Sequence, residues 1–146
     1  IVNTLLSSNK YRLLHQDISI EQDNLQLRVV TDCKWIGFIL NQRLDNSLKN
    51  RRENITLKYR GEETDRGVLL HIYDNGIGIR DSELTRIFDK GFTGTNGRVT
   101  RHSTGFGLYL CNVLCEKLGL AITVTSKENK YTEFHILFPG KSEQLS

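Results

Sequence analysis

Methionine is absent from the sequence, even at position 1, and proline and tryptophan each occur only once. Because translation normally starts at methionine, we expect the chain to be a piece of a larger protein. No apolar run approaches the roughly 18 residues that a membrane-spanning helix needs, and no charged and then apolar leader opens the sequence. With 146 residues, of which 38% are hydrophobic and 25% charged, the chain is expected to form one soluble globular domain.

Cysteine is scarce as well, and the three cysteines form no C-x-x-C pair. Cys111 and Cys115 lie four residues apart in a predicted helix, which is typical of small buried side chains in a reducing, cytosolic setting. Much of the excess behind the net charge of +3 lies in residues 49–52 and 98–102, and such clusters are either solvated or face an anionic ligand. A nucleic-acid surface needs a longer basic stripe with interleaved aromatic residues, so no nucleic-acid partner is expected.

Apolar periodicity in the first part of the chain predicts a strand followed by a long helix. Residues 1–24 carry little pattern and are predicted to be a linker, whereas residues 25–30 alternate as a strand does. Residues 31–50 are predicted to form a helix capped by Thr31 or Asp32, because apolar side chains recur every four positions. The stripe that should pack on a sheet consists of Ile36, Leu40, Leu44 and Leu48.

The middle of the chain predicts a hairpin and a short helix. Residues 54–60 and 67–74 are two strands separated by the polar turn 61–66. A short capped helix then starts at Asp81 or Ser82.

A polar, glycine-bearing loop over residues 89–104 is longer than ordinary connections in compact domains, which indicates a lid or a binding loop. A helix over residues 107–119 follows, with Gly119 as its C-cap, and then strands over residues 120–126 and 132–138. Strands and helices mix without regular βαβ alternation. We therefore expect an α/β two-layer sandwich in which helices pack on one face of a mixed β-sheet.

Two polar clusters stand out from this plan. On the first long helix, Gln42, Asn46 and Lys49 share a face roughly opposite the apolar stripe, where they either line a groove or simply meet solvent. The second cluster is "DNGIGI" (residues 74–79), which directly follows a strand. Its carboxylate, beside two glycines, could accept a hydrogen bond from a ligand amine, although hairpin turns use the same residue types.

A third cluster, "STGFGLYL" (residues 103–110), runs two glycines directly into an apolar helix. The backbone amides from Gly105 to Leu108 lie at the predicted N-terminus of that helix. Unpaired N–H groups and the helix dipole favour an anion there, phosphate above all. Taken alone, the pattern is equally consistent with a helix cap or a tight turn.

In order and spacing, four segments resemble the boxes of the ATP-binding catalytic domain of sensor histidine kinases, in the superfamily of gyrase B, Hsp90 and MutL. "FILNQRLDNSLKN" is similar to the N box, "DNGIGI" to the G1 box, "RIFDKGFTG" to the F box and "STGFGLYL" to the G2 box. The resemblance covers residues 25–138 and looks most like the intramembrane-sensing, antibiotic-responsive kinases of Gram-positive bacteria. It implies a Bergerat-type fold with an ATP lid, a catalytic domain over residues 25–140 and a tail over residues 141–146.

The same resemblance implies that ATP and Mg²⁺ are the cofactors. Asn46 matches the asparagine that holds Mg²⁺ through its side-chain oxygen, Lys49 matches a phosphate-binding lysine, and these two are the expected catalytic residues. Asp74 matches the aspartate that binds the adenine amino group. The other residues expected to contact the nucleotide are Gln42, Gly76, Gly78, Ile79, Phe88, Lys90, Phe92, Arg98, Arg101, Thr104, Gly105, Phe106, Gly107 and Leu108.

Some residues depart from the family pattern. Gln42 stands where these kinases usually have a first asparagine, and Asn50 stands where an aromatic residue often lies near adenine. Tyr131 and Thr132 replace the usual Gly-Thr pair before the last strand, so this pair receives no role. The segment before Leu25 is also shorter than the family's usual strand and helix.

Two other functions remain open. Hydrolytic relatives carry a glutamate one helical turn before the metal asparagine, where this chain has Gln42, which cannot take a proton. Asp45 is turned about 100° away around the helix, so the hydrolytic or clamp function of the superfamily is disfavoured. The other alternative is a degenerate interaction module without catalysis, against which the intact box residues argue.

The resemblance also implies partners and a location. The phosphate acceptor in the family is a histidine on a separate dimeric helical hairpin, so the full protein is expected to be a homodimer that passes phosphate to a response regulator. His15 lacks the acidic and basic neighbours of the acceptor motif, His71 and His135 alternate within strands, and His102 lies in the predicted lid. We expect the cytoplasmic domain of a cell-membrane sensor kinase, with a membrane transporter as a further partner.

Overall fold

The computed structural model describes residues 2–10, 13, 18–27, 29, 31–49, 54–89 and 107–140. Its elements follow the chain as α1 (Val2–Ser8), β1 (Ile18–Asp23), α2 (Cys33–Lys49), β2 (Ile55–Thr64), β3 (Gly67–Asp74), α3 (Asp81–Leu84), α4 (Gly107–Lys117), β4 (Ala121–Lys127) and β5 (Tyr131–Pro139). Helices and strands alternate irregularly along the chain, as the sequence predicts.

One five-stranded sheet organises the fold, in the order β1-β2-β3-β5-β4. β1 runs parallel to β2 and the other neighbours are antiparallel, so the sheet is mixed. Successive residues of a strand point to opposite faces, and one face is buried, as Ile72 of β3 and Phe134 and Ile136 of β5 show. These residues share one core with the helices, which confirms the predicted two-layer sandwich.

α2 packs on the sheet through the stripe that its sequence predicts. The stripe residues Ile36, Leu40, Leu44 and Leu48 are all buried. Asp32 caps the helix, because its Oδ1 accepts hydrogen bonds from the backbone N–H groups two and three residues later at 3.0 and 3.3 Å. The predicted helix is therefore confirmed, with Asp32 and not Thr31 as its cap.

α4 is followed, as predicted, by a glycine in the left-handed conformation. Gly119 has a φ of 74°, and the Leu120 N–H donates to the Cys115 carbonyl at 2.7 Å, which closes the last turn. Cys111 and Cys115 are fully buried free thiols. Burial raises the pKa of Cys111 to about 12 and that of Cys115 to about 11, so neither thiol is a reactive thiolate at neutral pH.

The strand predicted over residues 25–30 is wrong, because the first strand comes earlier in the chain. β1 ends at Asp23, and the chain turns at Asn24, whose φ is 54°. The Asn24 side chain donates to the Gly61 carbonyl at 2.9 Å, which fixes this turn. Leu25 still packs against the core, but from a turn and not from a strand.

Residues 1–24 do not behave as a linker where the structure describes them. Val2 and Leu5 of α1 belong to the buried core. β1 pairs with β2 from Ile18 to Asp23 and forms one edge of the sheet. The helix and the strand of this segment therefore complete the same core as the rest of the fold. The boundary between domain and tail at residue 140 stays a prediction.

Two shorter elements also differ from the prediction. β2 and β3 pair as far as Thr64 and Gly67, so the hairpin turn consists of residues 65–66 and not of residues 61–66. α3 is a helix of 4 residues, one turn long, and its N-cap is Arg80, which makes no side-chain capping hydrogen bond. The helix begins at Asp81, as predicted, and only the predicted capping hydrogen bond is absent.

Residues 90–106, which contain almost all of the predicted lid, lie outside the described residues. Within the part of the chain that is described, no helix combines the length and the apolar character needed to cross a membrane.

Candidate functional site

The polar side of α2 meets the first turn of α4. A Cβ added at Gly107 would lie 2.6 Å from Gln42 Oε1, so the absence of a side chain at Gly107 makes room for Gln42. Asn46 follows one turn later on α2 and is half-buried. The structure thus brings the N box and the start of the G2 helix together, as the predicted site requires.

Asp74 ends β3 and is the buried carboxylate of the site, with 4% of its surface exposed. Its Oδ1 accepts a hydrogen bond from the Gly76 backbone N–H at 2.9 Å. Its Oδ2 accepts one from the Ser47 hydroxyl of α2, also at 2.9 Å. A carboxylate offers about four acceptor positions, so Asp74 keeps acceptor capacity for another donor.

A buried arginine lies beside this carboxylate. Arg43 Nη2 is 3.7 Å from Asp74 Oδ2, and the guanidinium carbon lies 3.5 Å from the centre of the Phe134 ring. Among the described residues, Arg43 Nε and Nη2 have no hydrogen-bond partner. Burial lowers the pKa of Arg43, and the negative charge of Asp74 opposes that fall. The charge of Asp74 is therefore balanced inside the fold by a residue of this chain.

Sequence reasoning missed Arg43 and Ser47, although the helical period contains the signal. Arg43 lies three positions and Ser47 seven positions after Leu40, so both are on the face of α2 that the apolar stripe occupies. A polar side chain at a buried helix position needs a polar partner. Asp74 is that partner for both residues.

Directly after Asp74, Asn75 extends the hydrogen-bonded pairing of β2 and β3 by one more residue. The Thr56 N–H donates to Asn75 Oδ1 at 2.7 Å, and the Asn75 N–H donates to the Thr56 carbonyl at 3.3 Å. The side chain of Asn75 thus acts as an extra strand carbonyl and fixes the chain directly after the carboxylate.

The far end of the same segment is held by the last two residues of β4. Gly78 has a φ of 72° and passes so close to the Lys127 carbonyl that a Cβ would overlap it. The Ile79 N–H donates to Ser126 Oγ at 2.8 Å. Residues distant in sequence therefore hold both ends of the "DNGIGI" segment.

Thr132 is a further site residue, to which the sequence assigned no role. It is 7% exposed and is the register partner of Asp74 across β3 and β5. Its Oγ1 lies 3.1 Å from Ser126 Oγ, near the end of β4 that holds the "DNGIGI" segment. We add Thr132 to the candidate site because it is buried and pairs with Asp74 across the two strands.

A profile of the family described as "Histidine kinase-, DNA gyrase B-, and HSP90-like ATPase" matches residues 31–142, which is most of the chain. The chain belongs to this ATPase family. The match includes α2, β3, α4 and the two last strands, so every element of the site lies within the family domain.

Named relatives of this ATPase domain are sensor histidine kinases. The chain is 41% identical to the sensor histidine kinase GraS of Staphylococcus epidermidis over 116 residues, which are 80% of this chain and 33% of that protein. It is 41% identical to GraS of Staphylococcus aureus over 115 residues, or 79% of this chain and 33% of that protein. The chain spans about a third of the length of these relatives.

Solved structures of similar shape are catalytic parts of the same class of kinase. The mycobacterial sensor histidine kinase MprB has a TM-score of 0.84 at 25% identity, over 97% of this chain and 95% of that chain. The catalytic domain of the histidine kinase ThkA has a TM-score of 0.81 at 22% identity, over 96% of this chain and 90% of that chain. The ThkA likeness supports the fold alone.

Three other residues predicted for the ATPase site pack against the core of the domain. Ile79, Phe88 and Leu108 are partly buried. The rings of Phe88 and Phe134 meet edge to face with their centroids 6.1 Å apart. Phe88, which directly precedes the predicted lid, therefore packs against Phe134, the same ring that Arg43 contacts.

Several predicted phosphate and lid contacts stay predictions. The side chain of Lys49 and residues Lys90, Phe92, Arg98, Arg101, Thr104, Gly105 and Phe106 lie outside the described residues.

The described residues fit the expected cofactors. The buried Asp74 carboxylate has acceptor capacity for an amine. Gly107 leaves room at the start of α4 that a side chain would fill. The amide oxygens of Gln42 and Asn46 are hard donors of the kind that Mg²⁺ takes. The donor set therefore suits an adenine nucleotide with its magnesium ion.

Gly78→Ala is expected to lower both the free energy of unfolding and the nucleotide affinity. The new methyl group would overlap the Lys127 carbonyl in a strained backbone conformation, which costs about 1–3 kcal/mol. Any backbone shift that relieves this overlap would also move the segment that follows Asp74. Urea unfolding measures the first effect and calorimetric titration with ATP the second.

Gly119→Ala is the matched control for Gly78→Ala. The φ of Gly119 is 74°, equally left-handed, but a Cβ there would meet nothing within 4 Å. The control should lose stability through backbone strain and keep its ATP affinity. Equal ATP affinity in both variants would show that the contact with Lys127 does not shape the site.

Proposed function

We propose that this domain binds Mg-ATP and transfers the γ-phosphate to a histidine on a separate dimerisation domain of a sensor histidine kinase. The observation that carries the proposal is the buried Asp74 carboxylate, held at the end of β3 within an ATPase-family domain that is 41% identical to a sensor histidine kinase. A buried carboxylate that accepts a hydrogen bond from the adenine amino group gives a nucleotide site its preference for adenine.

The site residues would act mainly by positioning and by charge neutralisation, on which phosphoryl transfer chiefly rests. Asp74 would accept a hydrogen bond from the adenine amino group, with Thr132 beside it. Asn46 would hold Mg²⁺ through its amide oxygen, and bound Mg²⁺ supplies charge neutralisation at the phosphates. Lys49 and the backbone N–H groups at the start of α4 would bind the phosphate oxygens.

Gln42 favours transfer over hydrolysis. Its amide lies against Gly107, at the start of the helix that would bind phosphate. An amide cannot take a proton from water, so it cannot serve as the general base that a hydrolytic site needs. In a transfer reaction the acceptor histidine is itself the nucleophile, and this chain needs to supply no base of that kind.

The similarity to GraS supports a wider setting for the whole protein. The dimerisation domain would bring two copies together, the phosphohistidine would pass its phosphate to a response regulator, and this domain would lie on the cytoplasmic side of a membrane-anchored sensor. An antibiotic-responsive sensor of this type would also work with a membrane transporter.

Calorimetric titration with ATP, with and without Mg²⁺, tests the binding step. Label transfer from γ-labelled ATP to a histidine-bearing hairpin, supplied in trans or fused to the chain, tests the reaction. A hairpin whose acceptor histidine is replaced by glutamine is the control and should take up no label. Absence of ATP binding would favour a non-catalytic interaction module, and phosphate release without label transfer would favour the hydrolytic alternative.

A further inference from the structure

A cluster of histidine and glutamate side chains lies on the sheet face opposite the nucleotide site. His71 of β3 and His135 of β5 are register partners, and Glu133 lies two residues before His135 on the same face. Asp74 and Thr132 point to the other face of these two strands. The cluster therefore lies on a different face from Asp74 and Thr132, the strand residues of the candidate site.

Three donor atoms converge in this cluster. His71 Nδ1 lies 3.2 Å from Glu133 Oε1, and His135 Nε2 lies 2.7 Å from the same oxygen. One ligand atom from each of the three residues lies within 4.8 Å of the other two. A zinc ion with ligands at about 2.0–2.1 Å in tetrahedral geometry separates its donors by roughly 3.3 Å, so small side-chain rotations would open the cluster around an ion.

The ring nitrogens that face away from the cluster have partners of their own. His71 Nε2 lies 2.7 Å from Glu62 Oε2 on β2, and His135 Nδ1 lies 3.4 Å from Thr123 Oγ1 on β4. A carboxylate or hydroxyl on the outer nitrogen fixes the ring orientation and holds the proton there. The inner nitrogen, which lies against Glu133 Oε1 in the metal-free chain, would then offer its lone pair to the ion, as a metal ligand requires.

The ligand types decide which class of ion would bind. Two imidazoles and one carboxylate suit zinc and neighbouring transition metals, whereas Mg²⁺ and Ca²⁺ prefer oxygen donors alone. The side chains of His71 and His135 are 10% and 15% exposed and that of Glu133 is 26% exposed, so a fourth position can be filled by water.

We propose that His71, Glu133 and His135 form a binding site for one divalent transition-metal ion of the zinc type, with Glu62 and Thr123 as the outer partners that orient the two imidazoles. The ion would join β3 to β5, the two strands that carry Asp74 and Thr132 on their other face. The site would thus stiffen the part of the sheet on which the candidate nucleotide pocket is built.

Titration of the metal-free 146-residue chain with Zn²⁺, without nucleotide, tests the proposal. We expect one ion per chain by calorimetry and, with Co²⁺ as a substitute, a visible absorption spectrum typical of nitrogen and oxygen ligands. His71→Gln and His135→Gln should weaken binding by about 100-fold or more, and Glu62→Gln by about tenfold, which is the usual scale for an outer partner.

Two variants outside the cluster serve as controls. Cys33→Ser removes the exposed thiol, and His15→Gln removes a histidine distant in sequence. Both should bind Zn²⁺ like the parent chain. Absence of stoichiometric binding by the parent chain, unchanged affinity in His135→Gln, or a loss of affinity in Cys33→Ser would each overturn the proposal.

Magnetic resonance of the parent chain decides the question independently of whether a variant folds. The imidazole signals of His71 and His135 should shift together as Zn²⁺ is added and saturate at one equivalent. Shifts confined to the other histidines would place the ion elsewhere and overturn the proposal. Because neither measurement uses ATP, failure here leaves the proposed kinase function untouched, and failure to bind ATP leaves this test valid.

Discussion

Asp74→Asn is expected to weaken ATP binding by tenfold or more and to destabilise the chain at the same time. The asparagine can present an amide N–H donor to the amino group of the ligand, which is itself a donor, and an unpaired or clashing buried polar group costs about 1–3 kcal/mol. The same change leaves the Arg43 guanidinium buried without its counter-charge. Removal of one member of a buried ion pair costs about 3–5 kcal/mol in the free energy of unfolding. Calorimetry and urea unfolding measure the two effects separately.

The double variant Arg43→Leu with Asp74→Asn distinguishes two roles of Asp74. One is to balance the charge of Arg43, and the other is to accept a hydrogen bond from the adenine amino group. Leucine at position 43 fits the buried face of α2 and removes the unpaired cation, so most of the lost stability should return. ATP affinity should stay low, because an amide still stands in place of the acceptor-only carboxylate that would face the adenine amino group. Stability that does not recover would show that Arg43 is not the cause of the loss, and recovered ATP affinity would contradict the role of Asp74.

Asn46→Ala is expected to reduce label transfer to the acceptor histidine by about 100-fold or more, the scale at which a single charge-stabilising group acts in catalysis. Stability should change little, because Asn46 is only half-buried and alanine favours the helix. A net change of about 1 kcal/mol corresponds to a shift of roughly 2–4 °C in the melting temperature of a chain of this size.

Asn41→Ala provides a matched comparison on the same helix. Asn41 is exposed and accepts a hydrogen bond from the Asn9 side chain at 3.1 Å, so the chemical change is the same but lies outside the site. Both variants should melt close to the parent chain, and only Asn46→Ala should lose transfer. Transfer by Asn46→Ala at the parental rate would rule out a metal-holding role for this residue.

The elements with a strong local period could be predicted from the sequence. The apolar stripe of α2, its Asp32 cap and the Gly119 end of α4 depend on residues within a few positions of each other, and all three are confirmed. β1 was missed because it is an edge strand whose residues are mostly exposed. Its pairing with β2 joins Ile18 to Ile55, and no local pattern encodes a contact of that length.

In the candidate site, too, features that depend on local sequence could be predicted and features that depend on long-range contacts could not. The box residues could be identified because their types and spacing are local. Arg43 and Ser47 were missed because polar residues were read as solvent-facing, although the helical period places them on the buried side. The position of Thr132 beside Asp74 depends on the register of β3 and β5, which sequence alone does not determine.

The place of β5 between β3 and β4 has a consequence for synthesis of the chain. β5 is the last strand among the described residues, yet both of its neighbours need it to complete their hydrogen bonds. A nascent or truncated chain that ends before Tyr131 therefore leaves β3 and β4 as open strand edges, which are templates for aggregation. It also lacks the threonine that pairs with Asp74 and the Tyr131 carbonyl that accepts a hydrogen bond from Ser126. The pocket and the solubility of this domain should thus both appear only after β5 has left the ribosome.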